Sequence, residues 1–138
     1  MPIMREFTIQ MEDQPGTLGK FCRVLADSGV NILAFHSFSS ERKSVVRIIV
    51  DKLTTAKTAL DTERYTYTET EVAQAKLPHQ PGELARAASR LGEAGININY
   101  AYTGIEPGTN VCLVFFGVKE VAKAAPILEQ AAAAAAKP

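Results

Sequence analysis

Two short segments of this chain carry residue types that suit the capture of a small zwitterion. Gln14-Pro15-Gly16 stands just before a helical stripe, and Asn31 opens the strand that follows that helix. Gln80-Pro81-Gly82 and Asn97 repeat the arrangement. A turn of this kind presents the free backbone N–H groups of a helix start, here around Thr17 and Leu18 or Glu83 and Leu84. Such a terminus favours an anion, for example a carboxylate. Glycine lets a ligand approach the backbone closely. A side-chain amide offers both a donor and an acceptor, so one asparagine can serve an ammonium and a carboxylate together. Asp13 precedes the first turn and can hold an ammonium; His79 takes that place before the second and cannot do so in the same way. The two sites are therefore expected to be unequal. The competing reading is structural: Pro-Gly as loop punctuation, and Gly-Val-Asn-Ile or Gly-Ile-Asn-Ile as a helix cap and a turn asparagine.

The elements that position these residues are themselves repeated. Gln14-Pro15-Gly16, Leu18, Leu25, Gly29, Asn31, Ile32 and Val45 recur at Gln80-Pro81-Gly82, Leu84, Leu91, Gly95, Asn97, Ile98 and Val111. A single offset relates all of them, with no gap. The identities fall at turns, caps and core positions, the mark of a duplicated and fused module. The division predicted is residues 1–70 and 71–138.

Each copy opens on a strand. Phe7, Ile9 and Met11 alternate with polar residues, and Ala73, Ala75 and Leu77 take those places in the second copy. Leu18, Phe21, Cys22 and Leu25 form one helix face, mirrored by Leu84, Ala87, Ala88 and Leu91. Gly29 and Gly95 end these helices. A hairpin turns at Ser40–Lys43, and again, with stronger turn chemistry, at Glu106–Thr109. Thr54 to Thr62 predicts a second helix, and Tyr65 to Thr70 a fourth strand. After Phe116 no such strand is evident. Lys119 to Ala125 reads as helix, Pro126 as an interruption, and Ile127 to Ala136 as a strong helix former or a frayed alanine-rich end. The fold expected is α+β: two tandem ferredoxin-like βαββαβ modules, each an antiparallel sheet with helices on one face, the second lacking a regular fourth strand.

Composition narrows the function. The chain has 138 residues, with 15 basic and 15 acidic side chains and no basic cluster. Nothing points to nucleic acid. No apolar run reaches the length of a signal peptide or a membrane span, so a cytoplasmic, non-membrane protein is expected. Cys22 and Cys112 lie in apolar surroundings and read as reduced thiols. His36 and His79 have no metal-ligand spacing. Tyr100 and Tyr102 can flank a ligand but read more simply as structural, and Arg47 as an edge or interface residue. No nucleophile motif or phosphate loop is present, so neither catalysis nor a cofactor is expected.

Asp13-Gln14-Pro15-Gly16-Thr17-Leu18 with Gly29-Val30-Asn31-Ile32, and His79-Gln80-Pro81-Gly82-Glu83-Leu84 with Gly95-Ile96-Asn97-Ile98, resemble the ACT domain family. The resemblance covers all but the alanine tail. It implies a small-ligand sensor, usually of an amino acid, bound at an interface between modules and acting through a metabolic enzyme or regulator. In serine-sensing relatives the positions of Asp13 and Asn31 contact the effector. Asn31 and Asn97 match that pattern; Asp13 and His79 depart from it and from each other. A structural or assembly module without ligand, or a small enzyme, are the alternatives. A homodimer is expected on two grounds. The third strands carry apolar residues on the face away from the helices (Val45 and Ile49; Val111, Leu113 and Phe115). The second sheet also looks open at one edge.

Overall fold

The computed structural model describes residues 3–135. The order is β1 (Ile3–Glu12), α1 (Thr17–Asp27), β2 (Ile32–Ser40), β3 (Lys43–Val50), α2 (Leu53–Thr62), β4 (Tyr67–Pro78), α3 (Glu83–Glu93), β5 (Ile98–Ile105), β6 (Val111–Val118) and α4 (Val121–Ala135). No helix among these residues is long and apolar enough to cross a membrane. The chain divides into two compact units: Arg5–Thr70, and a second running from Glu71 onward that also takes in the start of β1.

In the first unit, β3 pairs antiparallel with both β1 and β2. Phe7 faces Ile48 and Ile9 faces Val46 across the β1–β3 ladder. These four share one sheet face and bury against Phe21 and Leu25 of α1 and Ala56 and Leu60 of α2. Burial of that apolar surface is what holds helices of such length in place. Phe21 meets Tyr65 edge-on at 5.2 Å, and Phe7 meets Tyr67 edge-on at 5.3 Å. The Tyr67 hydroxyl donates to Asp61 at 2.8 Å, which holds its proton and raises its pKa.

The second unit repeats the plan. β6 pairs antiparallel with β4 and β5. Ala73, Ala75, Leu77, Val114 and Phe116 bury against Ala87 and Leu91 of α3 and Ala124 and Leu128 of α4. Small residues on both helices allow their close approach. Pro126 lies inside α4 without breaking it. It is exposed, while Ala124, Ala125, Leu128 and Ala131 are buried around it. That burial offsets the hydrogen bond that proline removes, so the interruption expected at Pro126 does not occur. Ala136, the last residue of the predicted helix, lies outside the described residues.

Three expectations are corrected. Two tandem ferredoxin-like modules with separate sheets are not formed: the six strands make one closed barrel in the order β1-β3-β2-β5-β6-β4. The reason is visible in β4. Tyr65 to Thr70, the predicted fourth strand, and the strand expected to open the second copy are one strand, Tyr67–Pro78, with no turn residue to divide it. Closure leaves no open sheet edge, so that ground for a dimer falls.

Of the apolar residues turned away from the helices, Val111 is half-buried and the other four are buried. Val45 is 9% exposed, Ile49 0%, Leu113 3% and Phe115 0%. The second ground for a dimer falls with them.

Finally, the repeat is not free of gaps. Phe7 pairs with Ile48, whereas Ala73, its equivalent, pairs with Phe116, so the offset grows from 66 on the first strand to 68 on the third. Two residues have been added in the second hairpin. The match of Val45 with Val111 is therefore one of sequence only; the structural equivalent of Val45 is Leu113.

Candidate functional site

The two Pro-Gly turns have the same backbone. Gly16 and Gly82 cap α1 and α3 at φ 89° and 88°, in the left-handed region that glycine enters without strain. Neither helix start has a side-chain cap. Lys20 N–H donates to Gly16 O at 3.0 Å, and Arg86 N–H to Gly82 O at 2.9 Å. Ahead of these bonds the first-turn N–H groups at Leu18 and Gly19, and at Leu84 and Ala85, find no backbone acceptor among the described residues.

The surroundings of the two turns differ. In the first unit the Thr17 hydroxyl lies 2.8 Å from Glu12 O and 2.9 Å from Gln14 O, closing the turn on itself. Lys43 binds Glu12 at 2.6 Å, and Asp13 N–H reaches Arg42 O at 3.4 Å. These bonds tie the turn to the tight β2–β3 hairpin, whose Glu41 and Arg42 both have positive φ. In the second unit Glu83 replaces Thr17, and its carboxylate is taken by Arg86 at 2.6 Å. The longer hairpin from Glu106 to Asn110 stands where the tight turn stood.

A cleft results. Its outer lobe, about 620 Å³, lies between the His79–Gln80 turn and the second hairpin, reaching Ile105, Asn110 and Cys112. Its inner lobe, about 240 Å³, runs under the start of α3 past Leu77, Leu84, Thr103, Cys112 and Val114. Pro78, His79, Gln80 and Cys112 line both. Leu84, on the inner lobe, is 50% exposed and Ile105, on the outer lobe, 73%. Of the residues expected here, His79, Gln80, Glu83 and Leu84 line the cleft, and Pro81 and Gly82 form the turn above it. Thr103, Ile105, Asn110 and Cys112 were not anticipated. The added residues in the hairpin were the available signal, hidden by the chance match of Val45 with Val111.

The asparagines lie elsewhere. Asn97 follows the C-terminal end of α3, whose 11 residues span about 16 Å. The ladder agrees: Ile98 pairs with Val118 at one end of β5, and Ile105 with Cys112 at the other. The turn and the amide thus sit at opposite ends of the unit, and the Asn97 amide donates to Asn99 Oδ1 at 3.2 Å. Asn31 is likewise at the far end of α1 from Asp13, Gln14 and Pro15. Its N–H donates to Asp51 Oδ1 at 2.9 Å, and Asp51 N–H returns a bond to Asn31 O at 3.1 Å. Ile32 and Ile98 pack against the two cores.

Other groups have structural settings. Tyr100 stacks on Tyr102 at 6.4 Å, and Tyr102 lies against Phe115 at 5.7 Å. Arg47 lies 3.9 Å from the buried Glu6 carboxylate and 5.4 Å from the Phe38 ring. Both cysteines are free thiols, and burial raises the pKa of Cys22. Among the described residues no group of three or more His, Cys, Asp or Glu could hold a metal.

Glu106 at the hairpin tip binds Lys76 at 2.7 Å. That hydrogen bond, above all, lowers its pKa from the ordinary value of 4.5. The sign follows: a depressed folded pKa contributes stability above pH 4.5 that is lost as pH falls through the folded value. Lys76→Met should raise the Glu106 pKa back toward its ordinary value. Carboxyl NMR titration reads this, and an unchanged midpoint would exclude Lys76 as the cause.

Comparison with known proteins agrees with this architecture. Residues 6–63 match the model of the ACT domain. No curated protein matches the chain. Among solved structures, protein BT0572 from Bacteroides thetaiotaomicron is similar at 25% identity and a TM-score of 0.82, over 94% of this chain and 88% of that one. The ligand-free regulatory subunit of aspartate kinase from Thermus thermophilus is similar in fold at 18% identity and a TM-score of 0.63, over 95% and 93%. The corresponding subunit from Thermus flavus gives 18% and 0.58, again over 95% and 93%. Residues 6–63 of this chain are an ACT domain.

Proposed function

We propose that this protein is a regulatory sensor of an amino acid, built from two ACT modules at about residues 1–70 and 71–138, and that it acts through a metabolic enzyme or another regulator. The observation that carries this reading is the cleft beneath the second Pro-Gly turn. It combines helix-start N–H groups without a backbone acceptor, a side-chain amide from Gln80 and a largely apolar, half-open lobe. An α-carboxylate suits the first, an ammonium the second and a side chain the third. The ACT match and the fold shared with regulatory subunits of aspartate kinase support regulation rather than catalysis. The first turn, latched by Thr17, is the weaker site.

The working unit in this proposal is a homodimer in the cytoplasm. What supports a dimer is the separation of turn and asparagine, since a second copy laid antiparallel would bring its Asn97 to the cleft. A thermal-shift screen of the twenty amino acids tests the first claim. A ligand at a hundred times its dissociation constant adds roughly 2.7 kcal/mol of stability, a rise in Tm of several degrees. Asn97→Ala should then weaken binding by about 1–3 kcal/mol. No shift with any amino acid would refute the sensor. Unchanged affinity in Asn97→Ala, or a monomer of 14.9 kDa by light scattering, would refute the shared site.

A further inference from the structure

The two lobes of the cleft differ in chemistry, and the difference names a ligand class. This deepens the reading above and rests on it. The inner lobe is walled mainly by Leu77, Pro78, Leu84, Cys112 and Val114, with polar side chains from His79, Gln80 and Thr103. Its only charged lining group is Glu83, whose carboxylate is already held by Arg86 at 2.6 Å. A ligand with an acidic side chain would be repelled there. A basic one would have to leave water and would meet a carboxylate already paired, which costs more than it returns. A hydroxyl or amide side chain could reach Thr103 but would set its remaining polar atoms against leucine, valine and proline. At about 240 Å³ the lobe has room to spare for an aliphatic side chain. More polar partners lie toward the outer lobe, where His79 and Gln80, which line both lobes, are joined by Asn110, and all three are exposed. The Thr109 hydroxyl there is engaged by its own turn, 3.2 Å from Glu106 O and 3.1 Å from Val111 N. Leu84 lines the inner lobe and Ile105 the outer one, and both are exposed apolar surface that a bound apolar group could cover.

We propose that the second unit selects an amino acid with an aliphatic side chain, of the leucine, isoleucine, valine or methionine class. The side chain occupies the inner lobe against Leu77, Leu84 and Val114. The polar end lies in the outer lobe, by Gln80 and the start of α3. Cys112, on the wall of both lobes, is covered when the site is filled.

The test uses the full chain carrying Cys22→Ser, which leaves Cys112 as the sole thiol. Calorimetry with leucine, isoleucine, valine, methionine, serine, threonine, lysine and aspartate ranks affinity. Iodoacetamide labelling reads occupancy at Cys112. The expected result is that one of the four aliphatic amino acids binds at least tenfold more tightly than every polar one, and slows labelling at least tenfold at saturation. Leu84→Glu should weaken that binding at least tenfold without lowering Tm, because Leu84 is half exposed and a carboxylate suits a helix start. Leu84→Ala should act in the same direction with a smaller loss. A polar amino acid that binds most tightly, or an aliphatic one that leaves labelling unchanged, would overturn the proposal while the sensor reading stands. No binding by any amino acid would overturn both.

Discussion

Phe21→Ala should destabilise the first unit by about 3–5 kcal/mol, the usual cost of truncating a buried phenylalanine. Phe21 is fully buried on α1. It packs edge-on against Tyr65 at 5.2 Å and belongs to the cluster that joins both helices to the sheet. The loss combines transfer of the ring with the cavity it leaves. An aromatic contact adds roughly 0.5–1.5 kcal/mol to that. The same position in the second copy is Ala87, also fully buried. There α4 lies closer, through Ala124 and Leu128, so no ring is required. Urea unfolding followed by circular dichroism checks the prediction. Because the chain has two units, the curve is to be tested for two transitions before one free energy is extracted. A loss below about 1 kcal/mol would mean that the α1 face is not the cohesive surface of the first unit.

Gly117→Ile should be nearly as damaging, and a second substitution should repair much of the harm. A Cβ built on Gly117 would stand 2.3 Å from two carbons of the Tyr100 ring. Tyr100 pairs with Gly117 across β5 and β6 and lies flat over it. The equivalent pair in the first unit is Ala34 with Ile49, where the large residue is on the third strand instead. Each pair fills similar space with the sizes exchanged. Overpacking of this kind costs about 3 kcal/mol when the neighbour cannot yield. Tyr100→Ala combined with Gly117→Ile recreates the pair of the first unit. Residues in such contact couple by up to about 3 kcal/mol. Thermal unfolding of the two single variants and the double variant measures this coupling. Simple additivity would show that the exchange is incidental.

These two positions mark the boundary between what the chain advertises and what it conceals. The amphipathic stripe of α1, the caps at Gly29 and Gly95 and the alternating first strand are local signals. Each is set by backbone geometry or by a period within a dozen residues, so sequence alone determined them. Both caps have φ 74°, as a left-handed stop requires. The ACT resemblance rests on the same local features and holds for residues 6–63.

Closure of the sheet was not legible, because strand pairing is a non-local choice that no short pattern encodes. An unbroken run from Tyr67 to Pro78 satisfies the β-preference of two separate strands as well as of one. The candidate site was half legible. Gln80, Glu83 and Leu84 could be found because a turn before a helix has its own residue chemistry. Cys112 and Asn110 could not, because the two residues added in the hairpin displace the start of β6, and Thr103 could not, because the neighbouring strand β5 brings it there. Asn97 was misplaced for the opposite reason. It is near the turn in the motif but a helix length away in space, and only the tertiary structure decides which end of α3 a ligand can reach.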